Sequence, residues 1–361
     1  MPLVWVIGSR GLLGRAICRA VRARPGWTLC DAEPLPWAED TRMAEVARRN
    51  TRALLERSGA ETLRCAGSPS ANPVDARSGF DWAIVWAAGA AVTSSPVSQL
   101  DHEHTQLQLV LDAIAAELAL VSGARSDPPH SEPTVESRQT PSPARGVFFY
   151  ASSAGGVYGG SIHPPFTEET VPVPLAGYGR FKLGAEQAIT AFSRGSDTPA
   201  LIGRIANLYG PGQSMAKLQG VISHLARAEL TRAPMAIYVP LDTMRDYIYV
   251  DDCAALICAG LERLASEPHD ALSKTVVKNL VSGSAVTIGS LLGAFRVLGK
   301  RKPNVTLGAS SLAAAQAVDL RLASIVWPEL DARPQTPLPV GIQATLAEMQ
   351  AKIQAGPRQS P

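Results

Sequence analysis

Short runs made mostly of apolar residues alternate along this chain with longer stretches in which apolar positions recur every three or four residues. The runs are Leu3–Ile7, 27–30, 81–86, 146–151, Ala200–Ile205 and Thr275–Leu280. Their length and lack of polar alternation predict strands buried on both faces, as in a parallel sheet. The intervening stretches predict helices. Leu13, Ile17, Ala20 and Val21 share one face before Pro25-Gly26; Met43, Val46, Ala47, Leu54 and Leu55 do so over 39–58, and Leu100, Leu107, Val110, Leu111, Ile114 and Leu118 over 96–121. Strand and helix in succession predict an α/β fold.

Between these elements the punctuation changes the picture twice. Residues 59–79 are broken by Gly, Pro and Ser and are expected to be loop. Residues 122–145 are rich in Pro, Ser and charge and are expected to form an exposed, mobile insertion that separates helix from strand without dividing a domain. Further helices are expected over 254–264, 287–298 and 336–353.

Composition narrows the class. A chain of 361 residues, 46% hydrophobic, can bury one large core or two modest ones. A net charge of +2 with 18% charged residues carries no electrostatic footprint for nucleic acid or membrane. No stretch approaches the roughly 20 apolar residues that span a bilayer, and Met1-Pro2-Leu3-Val4-Trp5 has no basic stretch before an apolar one. A soluble cytoplasmic protein is the expectation. The five cysteines form no Cys-x-x-Cys pair and leave an odd count, so buried thiols are expected in place of disulfides or zinc. His102 and His104, two apart, fall on different helix faces and are expected to face solvent. Asp251-Asp252 is expected to cap a helix beginning at Cys253 and not to hold a metal.

The candidate chemistry starts where the first run ends. Gly8-Ser9-Arg10-Gly11-Leu12-Leu13-Gly14 lies between a strand and a helix, where glycines let the backbone turn tightly and bring a pyrophosphate onto the positive end of the helix. This predicts a Rossmann-type doubly wound sheet holding a dinucleotide at Gly8, Arg10, Gly11, Leu12 and Gly14. The second run ends at Asp31, placed for the hydroxyls of the adenosine ribose, which favours NAD. Arg10 could instead pair with a 2′-phosphate, which leaves NADP open. After the third run, Ala88 is small enough for a flat cofactor to lie against backbone.

The fourth run ends in Ser152-Ser153, and Tyr178-Gly179-Arg180-Phe181-Lys182 follows. On a helix, four-residue spacing places Tyr178 and Lys182 on one face. A phenol serves as acid and base near neutral pH only if its pKa falls by about 3 units, roughly 4 kcal/mol, and an adjacent ammonium is the obvious source.

With Asn207-Leu208-Tyr209-Gly210-Pro211-Gly212 and Arg245-Asp246-Tyr247-Ile248-Tyr249-Val250-Asp251-Asp252 added in order, the chain resembles the extended short-chain dehydrogenases/reductases of the NAD-dependent epimerase/dehydratase family. The resemblance covers all but 122–145 and the last few residues. It implies that Tyr178 is the general acid/base, that Lys182 anchors the nicotinamide ribose and lowers the phenol's pKa, and that a serine bridges phenol and substrate. Ala154 stands where most of the family has the bridging Ser or Thr, so Ser153 is assigned that role, with Ser152 in reserve at the substrate. Gly155 and Gly156 stand where dehydratases carry an acid pair. Hydride and proton transfer at one carbon is then the expected reaction, an epimerisation at C4 of a nucleotide-diphosphate sugar. A ketoreductase using NADPH and a non-catalytic dinucleotide-binding protein are the alternatives. Asn207 and Arg245 are expected to touch the nucleotide-diphosphate sugar. Pro240-Leu241-Asp242-Thr243-Met244, in place of a common Gly-Asp-Gly, leaves the sugar open. The expected layout is a dinucleotide-binding domain over 1–206 and a smaller, partly interleaved substrate-binding lobe over 207–361. A homodimer through helices 96–121 and 177–194 is implied as well.

Overall fold

The first half of the chain runs β1 (Leu3–Ile7), α1 (Leu12–Ala23), β2 (Thr28–Leu29), α2 (Asp40–Ala66), β3 (Trp82–Trp86), α3 (Val97–Gly123), β4 (Gly146–Ser153), the single turn α4 (Ala154–Val157), α5 (Gly177–Ser196) and β5 (Ala200–Ile205). The second half runs β6 (Asn207–Tyr209), α6 (Val221–Thr231), β7 (Met235–Ile237), β8 (Met244–Tyr249), α7 (Val250–Ala265), β9 (Thr275–Leu280), β10 (Ala285–Thr287), α8 (Ile288–Leu298), β11 (Val305–Leu307), β12 (Asp319–Leu320), α9 (Pro328–Asp331) and α10 (Leu338–Ala355). This is a computed structural model, and it describes residues 1–66, 79–123, 145–213, 220–267, 275–299, 303–308 and 317–355.

Six strands make one parallel sheet in the order β2-β1-β3-β4-β5-β9. Alternation along β1 shows how both faces are covered. Val4 and Val6 join a core built with Ile17 and Val21 of α1 and Ile257 and Leu261 of α7. Leu3, Trp5 and Ile7 join a second core with Met43 of α2, Leu107 and Ile114 of α3 and Ile189 of α5. All residues of β1, β3 and β5 are buried, which is why their sequences carry no polar alternation. The chain leaves β1 toward β2 on one side and resumes at β3 on the other, and such a reversal opens a crevice at the carboxyl ends of the strands.

A smaller sheet is built around β8, which pairs with β10, β12 and β6. Its core gathers Tyr209, Leu225, Ile237, Tyr247, Phe295 and Ile342. Between the two units runs β9, which follows α7 in sequence but closes the outer edge of the large sheet on β5. Glu168 fastens this junction by accepting from Asn279 N at 2.8 Å, Ser324 Oγ at 2.7 Å and Ile325 N at 2.9 Å.

Three local expectations change. Helix α2 continues to Ala66, so 59–66 is not loop. Gly59 costs a helix only about 1 kcal/mol, Ala60-Glu61-Thr62-Leu63-Arg64 are tolerated in a helix, and the next proline is Pro69. Helix α7 begins at Val250 and not at Cys253, so the two aspartates sit in its first turn and neither caps it. Asp251 pairs with Arg19, and Asp252 accepts from the N and Oγ1 of Thr336 at 2.7 and 3.1 Å. His102 is exposed, but His104 is only half-exposed and lies against Phe181, with ring centres 6.3 Å apart. The insertion expected over 122–145 lies almost wholly outside the described residues. Cys18, Cys253 and Cys258 are buried free thiols and Cys30 is half-buried. Among the described residues no helix is long and apolar enough to cross a membrane.

Candidate active site

The crevice at the ends of β1 and β3 is a cavity of about 680 Å³. Gly8 turns the chain into it with φ +87°, and the Gly11 N–H closes the turn on the Gly8 carbonyl at 3.0 Å. A side chain on Gly8 would meet the Ala88 backbone at 2.6 Å, and one on Gly14 would lie 2.1 Å from the Gly8 carbonyl oxygen. Strand, turn and helix can approach this closely only because both are glycine. Helix α1 starts without a side-chain cap, so its positive end is left to an anion.

Gly8, Arg10, Gly11, Asp31, Ala88 and Lys182 all line this cavity. Gly14 lies behind its floor, and Leu12 packs against the core as the first residue of α1. The loop carrying Asp31 is held by Asn50, which donates to the Glu33 carbonyl at 2.9 Å and accepts from the Glu33 N–H at 3.0 Å. A cleft of this size, lined by a tight glycine turn and by the Asp31 carboxylate, fits an extended dinucleotide. The lining also contains Trp37, Glu103 and Gln106, which sequence reasoning did not single out. Gln106 donates to the Trp37 carbonyl at 2.8 Å, and Trp37 stands edge-on to Trp86 with ring centres 6.1 Å apart. These residues lie on a loop and a helix distant in sequence, and no local pattern marks them.

A smaller cavity of about 230 Å³ adjoins the first turn of α5. It brings together Ser153, Tyr178, Asn207 and Arg245, with Thr93 and Leu175 on its walls. Glycines again set the approach, since a side chain on Gly179 would lie 2.0 Å from the Gly156 carbonyl oxygen. Ser153 ends β4 and caps α4, accepting from the Gly156 N–H at 3.2 Å. Its hydroxyl is also hydrogen-bonded to the Tyr178 phenol. Burial pushes the Tyr178 pKa up to about 12, the Ser153 hydrogen bond pulls it down, and the Glu103 charge pushes it up.

Lys182 follows one turn later on the same face of α5, but its ammonium does not hydrogen-bond the Tyr178 phenol. Its Nζ donates to the Ala151 carbonyl at 3.0 Å and to the Tyr150 hydroxyl at 3.3 Å, and lies 5.8 Å from the Tyr178 ring centre. The end of β4 thus takes the hydrogen bonds that the spacing alone suggested for Tyr178. Burial brings the lysine down to about 8, opposed by Glu103 and Glu186.

The reserve serine is a correction. Ser152 is buried and donates to Glu186 Oε1 at 2.5 Å, away from the small cavity that Ser153 lines. Consecutive strand residues point to opposite faces, so only one of the pair can reach Tyr178. Glu186 is in turn gripped by Arg204, with Nη2 to Oε2 at 2.7 Å and Nε to Oε1 at 3.1 Å. Asn207 Nδ2 donates to the Asp246 carbonyl at 2.8 Å. Arg245 pairs with neither Asp246 nor Asp251. Its Nη1 donates to the carbonyls of Met244 and Val318 at 2.8 and 3.3 Å, and burial draws its pKa down. Asp319 is close enough for its charge to act on Arg245, but among the described residues no carboxylate hydrogen-bonds this buried guanidinium, which leaves it suited to an anionic ligand.

A model of the NAD dependent epimerase/dehydratase family matches residues 4–273. The dTDP-L-rhamnose 4-epimerase of Burkholderia thailandensis is 34% identical over 131 residues, 36% of this chain and 34% of that protein. The dTDP-4-dehydro-6-deoxyglucose reductase of Escherichia coli is 31% identical over 143 residues, 40% of this chain and 42% of that protein. The chain therefore spans well under half the length of these curated relatives. Among solved structures, the UDP-glucose 4-epimerase of Thermus thermophilus in complex with NAD superposes with a TM-score of 0.65 at 18% identity, over 97% of this chain and 99% of that one.

Proposed function

The chain belongs to the NAD-dependent epimerase/dehydratase family, and from that premise we propose that it is an NAD-dependent epimerase of a nucleotide-diphosphate sugar, acting at C4. The observation that carries this reading is the division of labour on α5. Tyr178 opens into the small cavity with Ser153, Asn207 and Arg245, while Lys182 opens into the large one with Gly8 and Ala88.

In this reading Gly8, Gly11 and the start of α1 receive the dinucleotide's phosphates, Asp31 its adenosine ribose, and Lys182 its nicotinamide ribose. The dinucleotide supplies reversible hydride transfer when bound. Arg245, with Asn207 beside it, receives the sugar's diphosphate. Ser153 holds the sugar hydroxyl against Tyr178, and the phenolate form of Tyr178 accepts that hydroxyl's proton, becoming the phenol, as the carbon gives up its hydride to the dinucleotide. The same phenol returns the proton to the sugar oxygen after the ring has presented its other face. Gly155 and Gly156, which bound this cavity, offer no acid or base to expel water, and this favours epimerisation over dehydration. The dTDP-sugar and UDP-sugar relatives support a nucleotide sugar as the substrate class.

The test begins with the purified protein. Denaturation should release a dinucleotide whose mass is that of NAD, and the intact protein should then interconvert two nucleotide sugars with no net change in nicotinamide absorbance. Stoichiometric consumption of added NADPH would overturn the epimerase reading in favour of a ketoreductase. Arg10 on the cavity wall is the residue that would favour that outcome, by pairing with a 2′-phosphate.

A further inference from the structure

The large cavity contains a carboxylate that the mechanism above leaves unused. Glu103, in the second turn of α3, lines the wall shared with Ala88, Gly89, Tyr150 and Lys182. Its Oε1 accepts the Ala90 backbone N–H at 3.0 Å, and a Cβ on Gly89 would lie 3.7 Å from its Oε2, so the loop after β3 holds it in place. No ion pair to Glu103 occurs among the described residues.

Lys182 faces the same space as a buried ammonium whose two hydrogen bonds go to neutral oxygens, the Ala151 carbonyl and the Tyr150 hydroxyl. The other nearby carboxylate, Glu186, is already neutralised by the Arg204 fork and accepts from Ser152 besides. The remaining titratable groups about the lysine are the phenols of Tyr150 from β4 and Tyr178 from α5, with His104 of α3 set against Phe181. Glu103 is thus the one facing carboxylate, among the described residues, whose charge nothing nearby offsets.

We infer that Glu103 is a positioning residue of the acid–base site, the counter-charge that keeps Lys182 protonated inside a buried cavity and so fixes the alkaline end of the working pH range. The inference rests on the reading of Lys182 as the ammonium that holds the dinucleotide's nicotinamide ribose. Coulomb attraction is several-fold stronger in a water-poor cavity than in bulk, and an opposite charge at the wall favours the charged form of the amine. Burial is the largest influence on Lys182, and Glu103 is the largest one opposing it.

The experiment reads the lysine itself. Wild-type protein and Glu103→Gln are trace-acetylated with acetic anhydride across a pH series, and each lysine is quantified by peptide mass, with Lys352 as the internal control. In Glu103→Gln the Lys182 midpoint should fall by about one pH unit, from about 8, so that its acetylation relative to Lys352 rises about fivefold at neutral pH. In Glu103→Asp, which keeps the charge, the midpoint should stay close to wild type. An unmoved Lys182 midpoint in Glu103→Gln, with circular dichroism and melting unchanged, overturns the inference, as does an equal shift in Glu103→Asp. If Glu103→Gln does not fold, Glu103→Asn makes the same neutralisation in a smaller side chain and must show the same shift. Because labelling needs no substrate, a protein inert toward every nucleotide sugar would refute the proposed activity while leaving this measurement readable.

Discussion

Tyr178 and Ser153 form the smallest unit whose behaviour can be forecast. General acid–base catalysis by one positioned side chain is worth roughly 10²- to 10⁴-fold, so Tyr178→Phe should lose about that factor in kcat while retaining its bound dinucleotide. Full turnover in that variant would remove the phenol from the chemistry. Ser153→Ala should act through pH. The Ser153 hydrogen bond lowers the Tyr178 pKa against burial, so deleting it raises that pKa and reduces the phenolate present at any given pH. The rising limb of the kcat profile should therefore move toward alkaline pH, and a profile superimposable on wild type would contradict the bridging role. Gly14→Ala tests the other cavity. Its added methyl would sit 2.1 Å from the Gly8 carbonyl oxygen, so the turn must open and dinucleotide should be lost on gel filtration.

Among the elements, α5 depends on a contact that no local pattern announces. Glu186 and Arg204 form a pair between α5 and β5 with side chains 8% exposed at both ends. Removing one partner from such a pair strands a buried charge and costs about 3–5 kcal/mol, whereas replacing both by apolar groups is often near neutral. Arg204→Met should thus lower the urea midpoint sharply, and Glu186→Leu combined with Arg204→Met should recover most of it. If the double variant is as unstable as the single, the pair is contributing more than the avoidance of a stranded charge.

The same scale shows what sequence could and could not reveal. Strands such as β1 and β3 were legible because burial on both faces leaves only apolar residues, and α5 was legible from the spacing of Tyr178 and Lys182. The face chosen by Ser152 and Ser153 was not, because adjacent strand residues exchange faces and the choice depends on α5 and β5, which pack there. The end of α2 was missed because the Gly, Pro and Ser scattered over 59–79 made the whole segment read as loop. Glu103 and Gln106 sit in a helix whose apolar stripe was read correctly, but the cavity they line also needs residues from β1 and β4.

For the molecule as a whole, two copies should associate through α3 and α5. Val97 and Leu120 of α3 are 65% and 63% exposed, apolar surface that a partner helix could cover. Light scattering should give twice the chain mass of 38.1 kDa, and a monomeric mass would contradict the pairing. The position of β9 has a consequence for biosynthesis. When a ribosome has delivered β5, five strands of the large sheet can assemble, but their outer border stays raw until residues 206 to 274 have emerged and β9 arrives to seal it. An unsealed strand recruits other chains, so a product halted at Ala206 should precipitate where the complete polypeptide stays in solution, and any chaperone serving this protein must shelter that border throughout the interval.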